Sequence, residues 1–348
     1  MKLSLSFFLT LFLSLLLLAS SCLAEEVTVT LSFAGDCTLG SQEYLRNRAG
    51  TFDSVVTEKG LAYPMEKVRD FFFQDDWTVV NLECVLKDTS EGENRKQTYR
   101  FRGPSSFVDI LTQSGVEMVN LANNHTDDYG TKGMVSTKEV LQNAGIAYCE
   151  KADEYILEKD GIRIAFLGIT ITDYNTYGKT LNKRITQLKT EEGCQFVVVN
   201  MHFGWEYSFV HSKKQFLTSH EVIRSGADLV VGTHPHVVQG IEVYNNRLIL
   251  YSLGNFVFGG NMELNERSLQ AYIARVKLTF WDGAFYSQQL TILPVHTSGT
   301  QPQSNFQPYP VYGEEAQSVV ERIQGDTAFP LNPYTEGVGA VQEAILAQ

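Results

Sequence analysis

The stretch ADLVVGTHPH, residues 227–236, carries the pattern on which the fold prediction depends. Its apolar run at 229–231 predicts a strand that is covered on both faces. Two histidines flanking a proline follow this run at once, and burying them there is costly unless they bind something or form hydrogen bonds. We therefore interpret His234 and His236 as ligands of a metal ion.

The same pattern, an apolar run followed by polar side chains, recurs in four other places. The runs are 27–33, 79–82, 116–121 and 196–199, and they lead to Asp36, Glu83, the pair Asn124 and His125, and His202. In α/β folds, ligands bind at the carboxyl ends of the strands. We therefore expect these side chains to share one rim of the sheet.

Strand patterns alternate with helical patterns over most of the chain. Further strands are predicted at 162–167 and 248–251, and helices at 64–73, 107–114, 133–143 and 213–225. This alternation predicts a layered α/β domain. Segments 270–280 and 284–293 surround Asp282-Gly283, a strong signal for a β-hairpin, and a late hairpin is consistent with one sheet packed on another.

The first 24 residues have the pattern of a secretory signal. Lys2 precedes an apolar run at 3–19, and small residues lead to an expected cleavage after Ala24. A lipoprotein signal with Cys22 as the lipidated residue, and an uncleaved membrane anchor, are the alternatives. We thus expect a signal peptide at 1–24, one domain at 25–295, and an irregular C-terminal extension with one short helix at 296–348. We also expect the protein to function at the cell envelope or outside the cell.

Composition limits the classes of partner. The chain has 348 residues, of which 43% are hydrophobic and 20% charged, and a net charge of −12. Nucleic-acid binding depends on lysine and arginine contacts to phosphate, so this acidic balance argues against a nucleic-acid partner. Chain length permits one large domain with a full core, or two modest domains.

Four cysteines would remain after cleavage, too few for a disulfide scaffold in a chain of this length. A bridge between Cys37 and Cys84 is conceivable if their strands are neighbours. The favoured interpretation is that the cysteines are small buried apolar side chains.

Oxygen and imidazole ligands together suit Mn, Fe, Zn or Mg better than the thiolate-seeking metals, and the number of ligands allows one or two divalent ions. Purely structural roles stay open for some of these residues. Residues 123–125 also fit a turn that caps the next helix, Asp36 fits a helix cap, and Glu83 fits a solvated strand end. For three other histidines, His211, His220 and His296, we expect ordinary structural roles.

Six motifs in a fixed order relate the chain to a known family. They are FAGD at 33–36, NLE at 81–83, NNHxxDxG at 123–130, HxGxEY at 202–207, GxHPHVxQ at 232–239 and SLGNF at 252–256. Together they closely resemble the CapA family of poly-γ-glutamate capsule synthesis proteins, over about residues 27–295. That family resembles a branch of the calcineurin-like metallophosphoesterases, which implies a four-layered α/β/β/α sandwich.

The resemblance also implies a role for each matching residue. The implied metal ligands are Asp36, Glu83, Asn124, His202, His234 and His236. His125 is the implied general acid, oriented by Asp128, and the implied substrate residues are Arg102, Glu206 and Asn255. Arg102 is included because a guanidinium recognises phosphate or carboxylate well.

Two positions depart from the general metallophosphoesterase pattern. Where that pattern has Asp-x-His the chain has Asp36-Cys37-Thr38, and Glu83 stands where an aspartate is usual. The capsule branch carries the same changes, so they bear on the chemistry and not on the family.

Three functions fit these features. The first is an exported metal-dependent hydrolase of phosphoesters that acts in capsule synthesis. The second is a protein that binds or anchors an anionic polymer through the same metal site, with membrane-bound capsule synthesis proteins as further partners. The third, a scaffold with a fossil site, is disfavoured by the intact set of histidines.

Overall fold

The structure of the chain is a computed structural model that describes residues 25–46, 48–151 and 153–347. The predicted signal peptide and Cys22 lie outside the described residues. No helix in the described part of the chain is both long enough and apolar enough to cross a membrane.

The strands are β1 (Glu26–Thr38), β2 (Ser41–Gln42), β3 (Trp77–Leu82), β4 (Val85–Leu86), β5 (Phe101–Gly103), β6 (Met118–Asn120), β7 (Ala147–Cys149), β8 (Tyr155–Lys159), β9 (Ile162–Thr170), β10 (Phe196–His202), β11 (Leu229–Thr233), β12 (Ile241–Tyr244), β13 (Arg247–Leu250), β14 (Asn255–Phe258), β15 (Gln270–Trp281), β16 (Ala284–His296), β17 (Tyr309–Pro310), β18 (Ala340–Val341) and β19 (Ile345–Leu346). The α-helices are α1 (Phe52–Lys59), α2 (Arg69–Phe72), α3 (Val108–Thr112), α4 (Gly130–Ala144), α5 (Ile171–Thr190), α6 (Lys213–Arg224) and α7 (Gly313–Gln324).

Two main sheets form the centre of the molecule. The first has the order β17-β16-β15-β1-β3-β6-β7, with β14 also paired to β1 and both β18 and β19 paired to β16. The second has the order β12-β13-β11-β10-β9-β8, and a small third sheet has the order β2-β5-β4. In both main sheets the central strands run parallel, because β1, β3 and β6 are parallel neighbours, as are β9, β10 and β11.

The two main sheets pack face to face with helices on their outer faces. Alternation along β10 demonstrates this: Phe196 and Val198 belong to the core between the sheets, whereas Val197 and Val199 belong to the core under α5 and α6. A third core packs the outer face of the first sheet against α1–α4. The predicted four-layered α/β/β/α sandwich is therefore confirmed.

The late hairpin forms as predicted. Strands β15 and β16 are antiparallel, with Trp281 opposite Ala284. The two residues of the turn, Asp282 and Gly283, have φ values of 48° and 74°. Both central positions of a type I′ turn require positive φ, which explains why Asp-Gly is favoured there.

Helix α5, the longest among the described residues, is not predicted from the sequence. Its buried face shows few apolar residues, among them Leu181, Ile185 and Leu188, and the remainder of the helix is polar. Thr170 caps it, since the Thr170 hydroxyl accepts a hydrogen bond from the Asp173 backbone N–H at 3.0 Å. The Thr170 cap is visible in the sequence. The apolar stripe along α5 is too narrow to predict a helix from the sequence alone.

The C-terminal extension contains the predicted helix, observed as α7. Its apolar face, which includes Val319 and Ile323, packs into the core between the sheets. The extension also adds β17, β18 and β19 to the edge strand β16. These contacts attach the C-terminal residues to the first sheet.

A half-buried pair of acids, Asp75 and Glu117, lies at the end of the first sheet where β3 and β6 begin. Glu117 accepts a hydrogen bond from the Thr78 backbone N–H at 2.8 Å, and burial, with nearby Asp75, raises the pKa of Glu117 to about 7. The unfolded value is about 4.3, so the folded state binds the extra proton between these values. The contribution of Glu117 to stability is therefore lost as pH rises through about 7.

We expect Glu117→Gln to reduce the pH dependence of unfolding, because glutamine can still accept the Thr78 hydrogen bond but does not titrate. Chemical denaturation of chelated protein at about pH 5 and pH 8 measures this, with exposed Glu58→Gln as the control. The wild type should lose more stability than the variant on going to the higher pH. Parallel losses would show that Glu117 does not titrate in this range.

Candidate metal centre

The predicted ligands lie at the carboxyl ends of strands from both main sheets. The first sheet supplies Asp36 near the end of β1, Glu83 directly after β3, and Asn124 with His125 in the loop after β6. The second sheet supplies His202 as the last residue of β10, and His234 with His236 directly after β11. The rim shared by the two sheets therefore collects carboxylate, amide and imidazole groups.

Asp36 reaches this rim because β1 approaches another backbone closely. A side chain at Gly35 would put its Cβ 1.8 Å from the carbonyl oxygen of Gly254, so only glycine fits there. The next residue donates its backbone N–H to that same oxygen at 3.1 Å. This contact places the Asp36 carboxylate, which is fully buried, between the two sheets.

Asp36 has a defined partner for each carboxylate oxygen. Oδ1 accepts a hydrogen bond from the Asn81 amide at 2.8 Å, and Oδ2 lies 3.1 Å from His236 Nδ1. The backbone N–H of His234 also donates to Oδ2, at 3.3 Å. Both oxygens are thereby fixed in position at the rim.

Glu83 is fully buried, and neither of its carboxylate oxygens has a hydrogen-bond partner among the described residues. The imidazole Nε2 of His202 lies 3.5 Å from its Oε1. Within the described chain, no lysine or arginine forms an ion pair with Asp36 or Glu83. Two adjacent buried carboxylates without a lysine or arginine partner must either bind a proton or be neutralised by a cation.

His202 points its Nε2 atom into the same space. Its Nδ1 lies 3.0 Å from the Thr233 hydroxyl, and its Nε2 lies 2.6 Å from Asn124 Oδ1. Holding one ring nitrogen by a neighbouring polar group and leaving the other toward a cation is the usual arrangement of a metal-binding histidine.

The histidines of the HPH segment adopt strained backbone conformations. His234 has φ 99° and His236 has φ 58°, values that non-glycine residues rarely adopt. His236 Nδ1 lies 2.8 Å from Asn255 Oδ1, whereas His234 Nδ1 is buried and has no described hydrogen-bond partner. Such strain concentrates at functional sites, and here it turns both rings toward the carboxylates.

When no cation is bound, electrostatics favour neutral imidazoles at His202 and His234 beside a protonated Glu83 carboxyl, whereas His236 is favoured in its protonated form. Burial, followed by the charge of Asp36, raises the pKa of Glu83 well above its usual value. Burial lowers the pKa of both His202 and His234. Burial opposes protonation of His236 too, but its hydrogen bond to Asp36 raises the pKa of His236 overall.

The donor set fits a divalent metal ion. Three groups of residues each offer ligand atoms that lie within 4.8 Å of one another: Glu83, His202 and His234; Glu206, His234 and His236; and Asp36, Glu83 and His236. These groups share members, so one or two neighbouring ions fit the same cluster. The unpartnered atoms Glu83 Oε1, Glu83 Oε2 and His234 Nδ1 are free to act as ligands.

A His125–Asp128 pair stands beside this cluster. His125 Nδ1 lies 2.9 Å from Asp128 Oδ2, which also accepts the Phe101 backbone N–H at 2.7 Å. The ring of Phe101 lies against the His125 ring, with centroids 4.4 Å apart. Packing and hydrogen bonding therefore hold the His125 ring in one orientation.

Residues 30–260 match the family model of the bacterial capsule synthesis protein PGA_cap. The chain belongs to this family. The match covers the strands that supply the rim, from β1 to β14. The predicted relationship to capsule synthesis proteins is thus confirmed.

Two curated relatives illustrate the relationship. The chain is 28% identical over 258 residues to the capsule biosynthesis protein CapA of Bacillus anthracis, covering 67% of this chain and 61% of the relative. It is 29% identical over 256 residues to the PGA biosynthesis protein CapA of Bacillus subtilis, covering 67% of this chain and 64% of the relative. The alignments therefore span less than two thirds of either relative.

Solved structures show only remote similarity. A hypothetical protein from Thermus thermophilus aligns with a TM-score of 0.42 at 14% identity, over 76% of this chain and 99% of that one. A Staphylococcus aureus protein proposed to be a 5′-nucleotidase, solved with α-ketoglutarate, aligns with a TM-score of 0.43 at 12% identity. That alignment covers 89% of this chain and 62% of the other. The four layers described above establish the fold independently of these alignments.

The structure brings most of the residues implied by the capsule family together. The metal-ligand candidates meet at the rim, and Asn255 contacts His236 through its amide oxygen. Glu206 is exposed, yet its carboxylate lies with His234 and His236 in one of the three ligand groups. Glu206 is thus as well placed to contact a metal as to contact substrate. The ligand and substrate roles of these residues stay predictions.

Arg102 differs from its expected role. Its guanidinium forms a two-point ion pair with Glu43, at 2.9 and 3.0 Å, and donates to the Lys87 carbonyl oxygen at 2.6 Å. Arg102 is buried, and its charge is already neutralised, so it is not available to an anionic substrate. The sequence could not reveal this partner, because Glu43 is distant along the chain.

A network of buried asparagines was not assigned a role from the sequence. Asn81 accepts hydrogen bonds at Oδ1 from the side-chain amides of Asn120 and Asn123, at 2.9 and 3.3 Å, while it donates to Asp36. Asn123 in turn accepts the His125 backbone N–H at 3.0 Å. The signal was present, since asparagines ending apolar strands are unusual unless they are hydrogen-bonded.

All four cysteines in the described chain are free and buried, so the conceivable Cys37–Cys84 bridge is absent. Burial raises the pKa of the Cys37 thiol to about 12. The favoured interpretation of the cysteines as buried apolar side chains agrees with this arrangement.

We expect a divalent ion to stabilise the protein. A tightly bound ion at about one hundred times its Kd raises the free energy of unfolding by about 2.7 kcal/mol. Thermal unfolding of chelated protein, with and without Mn²⁺, measures the shift. Because Glu83 must lose its proton to bind and its pKa is raised, the shift should grow as the pH rises above the usual range of a glutamate carboxyl.

Glu83→Gln should abolish most of this Mn²⁺-dependent shift while leaving the chelated protein at least as stable as the wild type. The reason is that the neutral amide of glutamine cannot supply the negative charge that binds a cation, whereas it replaces a carboxyl that is already uncharged in the chelated protein. Glu58→Gln, an exposed change of the same kind, should leave the shift intact. A variant that retains the full shift would show that Glu83 is not a ligand.

Proposed function

We propose that this chain is an exported, metal-dependent hydrolase of phosphoester bonds that acts in the synthesis of an anionic capsular polymer of the poly-γ-glutamate type. The observation that carries the proposal is the convergence of three imidazoles with two buried carboxylates, neither paired with lysine or arginine, at the rim of both sheets. Membership of the capsule synthesis family supports the polymer context.

Asp36, Glu83, Asn124, His202, His234 and His236 would hold one or two divalent ions, and Glu206 is placed to join them. When bound, such an ion lowers the pKa of water and stabilises negative charge on phosphoryl oxygens. Mn, Fe, Zn and Mg all accept this mixture of oxygen and nitrogen ligands.

The chain's own residues would complete the reaction. Water adds to phosphorus as the bond to the leaving oxygen breaks, and His125 donates a proton to that oxygen. Asp128 accepts the hydrogen bond from His125 Nδ1, which directs Nε2 toward the substrate. The Asn81 amide and the HPH turn hold Asp36 in place throughout.

The test combines metal analysis with turnover. Protein purified without chelator is assayed for bound metal by elemental analysis, and for hydrolysis of a generic phosphodiester with added Mn²⁺. His125→Ala should retain the metal and lose activity by about 10²-fold or more, because only proton donation is removed. His220→Gln, at a buried histidine that contacts Glu242, serves as the control.

Each alternative result has a clear meaning. Bound metal without turnover of any phosphodiester would contradict hydrolysis and leave metal binding intact. Loss of metal in His125→Ala would show that His125 is a ligand and not the proton donor. Protein that binds no divalent ion would contradict the proposal as a whole.

Export belongs to the same proposal. We expect the mature protein to begin at Glu25, because small residues precede it after an apolar run. Mass spectrometry of the protein recovered from the producing cell measures its N-terminus. A lipid-modified Cys22 would support the lipoprotein alternative, and an intact residue 1 in the cytosol would contradict export.

A further inference from the structure

The loop that joins β10 to α6, residues 203–212, brings a third carboxylate to the metal centre. We call this segment the Glu206 loop. The Glu206 carboxylate offers an oxygen that lies within 4.8 Å of ligand atoms of His234 and His236. Because the Glu206 side chain is exposed, its position depends on the backbone of its loop. The contacts that hold this backbone therefore decide whether Glu206 can reach an ion beside the two histidines.

The backbone of the Glu206 loop is strained next to Glu206. Tyr207 has φ 59°, a value that residues other than glycine rarely adopt, and Gly204 has φ 109°. Such conformations persist only where the surrounding structure holds them. On the side of the metal centre, the Tyr207 backbone N–H donates to the Pro235 carbonyl oxygen at 2.8 Å, and that of Phe203 donates to Thr233 at 3.0 Å.

The middle of the Glu206 loop is held by Gln239, the last residue of the motif at 232–239. Gln239 Nε2 donates to the carbonyl oxygens of Ser208 and Val210, at 2.7 and 3.3 Å. Gln239 Oε1 accepts a hydrogen bond from Gln215 Nε2 at 2.8 Å, which fixes the orientation of the amide. The segment that follows the HPH turn thus supports the loop directly.

The end of the Glu206 loop is held by Asp326, from the C-terminal extension just beyond α7. Asp326 Oδ2 accepts the backbone N–H groups of His211 and Gly240, both at 2.9 Å. Both carboxylate oxygens also lie 3.0 Å from His211 Nδ1, and the His211 ring stacks on Tyr251 with centroids 4.0 Å apart. One carboxylate therefore joins the end of the loop to the segment after the HPH turn.

The chain around Asp326 approaches both segments closely. A side chain at Gly240 would put its Cβ 1.9 Å from the Asp326 carbonyl oxygen, so only glycine permits this approach. The Asp326 side chain is 4% exposed. Near the end of α7, the guanidinium carbon of Arg322 lies 4.5 Å from the ring centroid of Phe209, which belongs to the Glu206 loop. The extension thus contacts the loop at two separate points.

We propose that Asp326 is a positioning residue of the metal centre. By holding the Glu206 loop against the segment that follows the HPH turn, it sets Glu206 where its carboxylate binds the same ion as His234 and His236. The C-terminal extension, which lies outside the family match at 30–260, then completes the centre. The inference rests on the proposed function, because it takes the cluster as a metal site, but it does not depend on the reaction.

The energetics of the Asp326 contacts favour a displaced loop when the carboxylate is lost. Hydrogen bonds from N–H groups to a carboxylate are stronger than those between neutral groups. Without Asp326, the N–H groups of His211 and Gly240 would be left without a partner, which is costly unless they move toward water. Such movement at His211 releases the end of the loop and shifts Glu206 away from the histidines.

Mn²⁺ binding to chelated protein, measured by isothermal titration well below the unfolding midpoint, tests the proposal. Asp326→Ala should weaken Mn²⁺ binding by about tenfold, since loss of a group that orients metal ligands typically costs this much or more. Asp326→Asn removes the same charge but keeps an oxygen that accepts both N–H groups, so it should retain most of the wild-type affinity. His211→Phe keeps the ring stacking but loses the imidazole contact, and should weaken binding by a smaller factor.

Thr327→Val is the matched control for loosening of the extension. The Thr327 hydroxyl accepts the Ile241 backbone N–H at 2.9 Å and donates to Ile323, so it attaches the extension to β12 without touching the Glu206 loop. Thr327→Val should lower the thermal midpoint and leave Mn²⁺ affinity unchanged. Amide hydrogen exchange at Tyr207, which Asp326 does not contact, should be faster in chelated Asp326→Ala and unchanged in Thr327→Val.

Unchanged Mn²⁺ affinity in Asp326→Ala and His211→Phe would overturn the proposal. Equal weakening by Thr327→Val would overturn it too, because general loosening of the extension would then explain the effect. Asp326→Asn that binds as weakly as Asp326→Ala would show that charge, and not positioning, is responsible. A wild type that binds no Mn²⁺ would contradict the proposed function and, with it, the role of Asp326 toward an ion.

Discussion

The buried carboxylates of Asp36 and Glu83, which have no lysine or arginine partner, impose the constraint on which the rest of the centre depends. Anions in a low-dielectric interior are tolerated only when they are protonated or neutralised. Imidazoles, amides and backbone N–H groups surround the two carboxylates. Burial lowers the pKa of His202 and His234, which keeps both imidazoles in the neutral form that binds a cation. A divalent ion is the charge that would complete this set.

The two sheets must lie face to face for the centre to exist. Asp36 and Glu83 come from the first sheet, whereas His202 and His236 come from the second, and direct contacts join them across the interface. The core between the sheets, which includes Phe33, Phe166 and Phe196, therefore sets the spacing of the candidate ligands. Positive φ at His234 and His236 then turns their rings inward at a cost that the packed sheets sustain.

Sequence patterns predicted the strands that deliver the ligands, because apolar runs covered on both faces are distinctive and each ended in a polar cluster. They did not predict α5, whose apolar stripe has meaning only against the second sheet. Arg102 shows the same limit at one residue. A guanidinium near the motifs suggested an anion site, but its partner Glu43 lies in another strand–turn segment, and only folding brings them together. Asp326, which holds the end of the Glu206 loop, lies outside the six motifs.

By itself the sequence determined the family, the layered α/β class and the chemical nature of the candidate ligands, since these follow from motif order, strand periodicity and residue type. The tertiary structure decided which atoms face one another: the pairing of His202 with Glu83, the amide network beneath Asp36, and the neutralisation of Arg102 by Glu43. Periodicity places a side chain on a face of its own strand. Distances between groups far apart in the chain depend on how the sheets pack, and local patterns carry no information about that packing.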